Sequence, residues 1–141
     1  MITYRVTFAT LFVCLVLGES SSRNDIVTYE EVEASKDNTT VYLIDVRQPC
    51  ELTETGFIPG AINIPINKVE DTLKNFSPED FSQKFQRSKP ELDSVLVFYC
   101  TVGVRSAKAQ QIALDLGYVN AKNYLGSWLD WRAKSNLVKT T

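Results

Sequence analysis

Cys100 stands where nucleophilic chemistry is commonly done. It follows an apolar run, Val95-Leu96-Val97-Phe98-Tyr99, and precedes Thr101-Val102-Gly103-Val104-Arg105. A buried strand leading through a short loop into a helix places this cysteine at the carboxyl edge of a sheet, where open α/β folds bind ligands. If the loop from Cys100 to Arg105 curls around the sulfur, its backbone N–H groups form an anion nest, and the following helix adds its positive end. Gly103 supplies a backbone free to adopt conformations closed to side chains. With the Arg105 guanidinium nearby, these features favour thiolate over thiol and a pKa below the free value of about 8.5. The plainer alternative is a buried structural cysteine at a strand end, since Cys is among the most buried residue types.

The rest of the composition narrows the chemistry. The chain has 141 residues, three cysteines and no histidine. That removes Ser-His-Asp and Cys-His catalysis, His-ligated zinc or haem, and any histidine acid or base. Lys and Arg number 15 against 17 Asp and Glu, a net charge of −2, so nothing recommends nucleic acid or an anionic membrane as partner. With 44% apolar and 23% charged residues, a single packed domain is expected. Asp45 and Arg47 fall at or just past the end of another buried strand, near the edge that carries Cys100. They read as a structural ion pair bracing the loops, or, more sharply, as a source of positive potential over the thiolate. Cys50 reads as a surface residue, with a resolving thiol for Cys100 as its alternative.

These residues need a scaffold. Thr28-Tyr29-Glu30-Glu31 has the form of a capping box and opens a helix to about Ser35. Val41 to Val46 and Val95 to Tyr99 are continuous apolar runs of strands buried on both faces. Gly56 and Pro59-Gly60 mark a loop before a short strand from Ala61 to Ile64. A helical stretch is expected around Val69 to Leu73, and Ser77-Pro78-Glu79-Asp80 starts another with an N-cap, a first-turn proline and acidic residues. Phe81 and Phe85 would share its face. The segment from Asn75 to Pro90, with Lys84, Arg87 and Lys89, reads as a solvated face. Ala109, Ile112, Ala113 and Leu116 give one face of a helix over about Ser106 to Leu116, ended by Gly117. A short strand near Ala121 to Tyr124 and a last helix around Trp128 to Lys134 complete an α/β domain; Trp128 and Trp131 read as core packing, with one of them lining the pocket mouth as the alternative. Strands alternating with helices predict a parallel sheet covered on both faces.

Three segments in order resemble one family. Asp45-Val46-Arg47-Gln48-Pro49-Cys50-Glu51 with Gly56-Phe57-Ile58-Pro59-Gly60-Ala61-Ile62-Asn63-Ile64-Pro65 is similar to the first signature of the rhodanese, or sulfurtransferase, domain. Cys100 to Ser106 resembles its catalytic loop, and Asn123 to Trp131 its closing segment. The similarity spans about residues 27 to 138 and looks closest to single-domain animal members. Phe57 departs from it, standing where the family often has a loop histidine. The resemblance implies a rhodanese-like single domain and a persulfide mechanism, with Cys100 as nucleophile. Thr101, Val102, Gly103, Val104 and Arg105 would bind the substrate, with Asp45 and Arg47 supporting them. The partners would be a small sulfur donor, such as thiosulfate or a glutathione persulfide, and a thiol or cyanide acceptor. No cofactor, metal or nucleic acid is implied, and a monomer is expected. A silent binding module on the same fold is the alternative. A cysteine phosphatase or arsenate reductase fits less well, because Cys100 to Arg105 is Cys-x4-Arg, whereas those enzymes use the longer Cys-x5-Arg loop.

The first residues stand apart. Arg5, a mostly apolar run from Val6 to Leu17, and small residues at Gly18 and Ser20 to Ser22 predict a secretory signal peptide over residues 1–20. An uncleaved membrane anchor and a mitochondrial presequence are the alternatives. Cys14 would leave with the leader. The acceptor patterns Asn38-Thr39-Thr40 and Asn75-Phe76-Ser77 agree with secretion but are short enough to occur by chance.

Overall fold

The computed structural model describes residues 25–138, so the expected leader lies outside the described residues. Five strands form one parallel sheet: β1 (Ile26–Val27), β2 (Val41–Asp45), β3 (Ile62–Asn63), β4 (Val95–Tyr99) and β5 (Asn120–Tyr124). Their order across the sheet is β1-β5-β4-β2-β3. The central pair aligns Val41 with Val95 and Asp45 with Tyr99, so the two longest apolar runs end at the same edge. That register brings Asp45 and Cys100 to one rim.

Six helices cover the sheet: α1 (Tyr29–Ser35), α2 (Pro49–Thr55), α3 (Val69–Asn75), α4 (Pro78–Phe85), α5 (Val104–Asp115) and α6 (Ser127–Val138). Side chains alternate along each strand. Tyr42, Ile44, Leu96 and Phe98 therefore face one way, into a core shared with Leu73, Phe81, Ala109 and Ala113 of α3, α4 and α5. Leu43, Val97 and Tyr99 face the other, into a core with Val32 of α1 and Trp128 and Trp131 of α6. Cys100 continues the alternation of β4 and falls on the α5 side. The expected parallel sheet with both faces covered is what forms.

Two differences from the sequence expectations have clear causes. The segment between Gln48 and Gly56, to which the sequence reading assigned no element, is helical; α2 buries no residue, so it carries no amphipathic signal. The segment from Asn75 to Pro90 is not simply a solvated face. Phe81 and Phe85 of α4 do pair, with ring centroids 4.6 Å apart. Arg87 donates to the carbonyls of Thr39 and Val41 at 2.6 and 3.3 Å and lies over the Tyr42 ring, and Lys89 donates to Phe76 O. Arg87 thereby ties the segment after α4 to the start of β2, and Lys89 ties it to the turn before α4. Among the described residues, no helix is long and apolar enough to cross a membrane.

Candidate active site

Cys100 leaves the end of β4 and is 1% exposed. Its loop turns sharply at Gly103, whose φ of +90° lies in the left-handed region that a side chain disfavours. The turn aims the Gly103 amide at the sulfur, which it approaches to 3.1 Å. The Ser106 hydroxyl, in the first turn of α5, lies 3.4 Å from the same atom. Burial pushes the Cys100 thiol up, but hydrogen bonds from the Ser106 hydroxyl and from the Ser106, Val102 and Gly103 backbone outweigh it, and the pKa falls to about 7. A large part of the population is then thiolate at neutral pH.

The loop is clamped from behind. Ser127 accepts the Cys100 N–H at 3.1 Å and donates to Tyr124 O at 2.8 Å, bridging β4 to the end of β5. Trp128 N donates to Cys100 O, and Leu129 N to Thr101 O, so the first turn of α6 closes on the loop carbonyls. Their withdrawal leaves the N–H side of the loop to face the sulfur. Ser127 itself has a φ of +55°, which a non-glycine residue holds only where its surroundings fix it.

Arg105 does not stand free beside the thiolate. Its two terminal nitrogens donate to the Glu51 carboxylate at 2.7 and 2.8 Å, and one of them also reaches Thr101 Oγ1 at 3.0 Å. Glu51 belongs to α2, 54 positions earlier in the chain, and both side chains are about one-third exposed. The Arg105 bonds hold the Glu51 carboxyl well below the usual range, at about 2, and Glu51 in turn raises Arg105. The groups that lower the Cys100 pKa are thus mainly neutral dipoles, whereas the sequence suggested that Arg105 would contribute as a free cation.

Asp45 and Arg47 form a buried pair at the same edge. Arg47 donates to both Asp45 oxygens, to Thr55 Oγ1 at 2.9 Å and to Gly56 O at 2.9 Å, and its guanidinium lies 5.0 Å from the Trp128 ring centroid. The bonds to Thr55 and Gly56 tie the end of β2 to α2, and the Trp128 contact ties it to α6. Burial works against the Arg47 charge, yet Asp45 more than offsets it and the guanidinium titrates above its usual range. This geometry favours the bracing role over a field aimed at the sulfur.

The remaining loop positions divide simply. Thr101 joins the Arg105–Glu51 contact through its hydroxyl. Val102 and Val104 point outward, 55% and 63% exposed, and Leu125 and Leu129 are exposed beside them, so the mouth is apolar. Cys50 is exposed in the first turn of α2, and Cys50 and Cys100 are both free thiols. A hollow of about 910 Å³, lined by Pro78, Leu92 and Tyr118 among others, lies at the opposite end of the strands and takes in none of these residues. Among the described residues no cluster of His, Cys, Asp or Glu could hold a metal ion.

Sequence reasoning gave no role to three residues that the fold brings in: Glu51, Ser106 and Ser127. Glu51 could have been found from its spacing to Gln48 and Pro49, which marks a helix start. Ser106 follows Arg105 by one position, within reach of a sulfur at the helix start. Ser127 carries no local signal.

Residues 28–134 match the rhodanese-like domain family. The chain is 44% identical over 112 residues to a rhodanese domain-containing protein of Drosophila melanogaster, covering 79% of this chain and all of that one. It is 41% identical over 95 residues to the thiosulfate:glutathione sulfurtransferase of Homo sapiens, covering 67% of this chain and 81% of that one. The fold superposes on the human single-domain sulfurtransferase TSTD1 with a TM-score of 0.71 at 36% identity, covering 78% of this chain and 96% of that one.

Proposed function

This chain belongs to the rhodanese family, and on that premise we propose that it moves a sulfane sulfur from thiosulfate or a related donor, through a persulfide on Cys100, to cyanide or a thiol. The observation that carries this reading is the cradle of hydrogen bonds that holds the Cys100 sulfur and lowers its pKa to about 7. The Cys100 thiolate attacks the outer sulfur of thiosulfate. A sulfur–sulfur bond forms to Cys100, and the bond to the sulfonate sulfur breaks and releases sulfite with its electron pair. The charge left on the outer sulfur of Cys100–S–S⁻ is met by the loop amides around Gly103. Cyanide or an acceptor thiolate then attacks that outer sulfur and returns Cys100 as thiolate. This is two-step covalent catalysis by a nucleophile that is already ionised. Neither step needs a general base, so a chain with no histidine can carry out both.

Arg105 is the cation of the loop and would hold the sulfonate end of an anionic donor. Thr101, Val102, Gly103 and Val104 supply the backbone wall, while Asp45 and Arg47 keep α2 and α6 seated against it. The test is thiocyanate formation from thiosulfate and cyanide, comparing the full chain with Cys100→Ser. Activity should be present in the first and absent in the second. Thiocyanate that survives the substitution overturns the assignment, as does p-nitrophenyl phosphate hydrolysis with no sulfur transfer.

A further inference from the structure

The only cation in the loop from Cys100 to Ser106 is already occupied. Arg105 gives both terminal nitrogens to Glu51, and the other nearby guanidinium, Arg47, is buried against Asp45. Glu51 is itself fixed: its Oε2 also accepts the Gln48 N–H at 2.8 Å, at the start of its own helix. The carboxylate therefore cannot swing away freely, and its bonds to Arg105 keep it ionised near neutral pH. An anionic donor entering beside Cys100 finds a guanidinium whose charge is balanced and whose outer fork is taken.

The geometry points to Glu51 as a specificity-determining residue of this site, an internal anion that competes with the donor's sulfonate for Arg105. This rests on the sulfurtransferase reading above. The carboxylate mimics the planar, two-oxygen face that a guanidinium binds best, so a sulfonate must displace one of its bonds or share the remaining N–H groups. Glu51 thereby weakens the binding of doubly charged donors such as thiosulfate. Val102, Val104, Leu125 and Leu129, exposed around the mouth, carry no charge that would compensate.

Glu51→Gln is the informative change. Gln serves equally at the third position of a capping box, so α2 keeps its N-terminal hydrogen bond. It removes the competing charge. KM for thiosulfate should fall about two- to fivefold, the range of a partly exposed ion pair. The fall in KM should exceed any change in kcat. Glu51→Asp keeps the charge and should bring KM back towards the wild-type value. A KM that rises or stays the same in Glu51→Gln overturns the inference and makes Glu51 a support for Arg105 instead.

Calorimetric titration of thiosulfate into Cys100→Ser, with and without Glu51→Gln, asks the same question without turnover. Tighter binding in the double variant is expected, and unchanged or weaker binding overturns the inference. If the wild type forms no thiocyanate while the double variant binds more tightly, only the sulfur-transfer reading fails. If the wild type turns over and neither KM nor binding responds, only the role of Glu51 fails.

Discussion

The amide of Gly103 points at the sulfur of Cys100 from 3.1 Å, and the left-handed backbone of the glycine is what puts it there. A Cβ at position 103 would lie 2.4 Å from the carbonyl oxygen of Leu125, a backbone atom that cannot turn aside. One residue thus sets both the shape of the loop and the state of the nucleophile.

Gly103→Ala should accordingly damage both. A left-handed alanine costs about 1–2 kcal/mol before the clash is counted. Urea denaturation should show a loss of about 2 kcal/mol or more, and Cys100 should alkylate more slowly at pH 7. Wild-type stability together with wild-type alkylation would show that the turn is dispensable.

Ser106→Ala removes the hydroxyl 3.4 Å from the sulfur and leaves the fold intact, since the position becomes a good helix former. One hydrogen bond to a charged group is worth about 1.5–3 kcal/mol, or about one to two pH units. The pH profile of iodoacetamide alkylation, with its midpoint near 7 in the wild type, should move up by about that amount. An unmoved midpoint would leave the backbone amides as the whole cause.

The lowered Cys100 pKa has a signature in stability. The folded value of about 7 lies below that of a free thiol, about 8.5, so the folded state releases its proton first. Its contribution is complete above the unfolded pKa and is lost as pH falls through 7. The free energy of unfolding should therefore rise by roughly 1–2 kcal/mol between pH 6 and pH 9.5 in the wild type relative to Cys100→Ser. Parallel pH dependences in the two proteins would contradict a shifted thiol.

Asp45→Asn should be the most damaging change at the buried edge. It leaves the Arg47 guanidinium, 1% exposed, without its anion, and breaking such a pair costs about 3–5 kcal/mol. A thermal melt should show a large drop, and a loss below 1 kcal/mol would argue that Thr55, Gly56 and the Trp128 ring hold Arg47 unaided.

The parts of the molecule that were legible in the sequence are those whose burial leaves a pattern. β2 and β4 are packed on both faces and read as unbroken apolar runs, while α5 shows its buried stripe through Ala109 and Ala113. The two-residue strands β1 and β3 are too short to show a period, although Ala61 to Ile64 marks the second. At the site, Cys100 and Gly103 were legible from a strand, a glycine and a helix in sequence. The Glu51–Arg105 pair was not, because its partners are joined only by the placing of α2 against the start of α5. The same holds for Ser127, whose contact with Cys100 depends on β5 lying beside β4.

The most direct measurement is the intact mass of the full chain after brief incubation with thiosulfate. The wild type should gain one sulfur atom, lose it on addition of cyanide with release of thiocyanate, and show the modified residue at Cys100 after peptide mapping. Cys100→Ser should gain nothing. A sulfur retained by Cys100→Ser, or mapped to Cys50, would contradict Cys100 as the carrier.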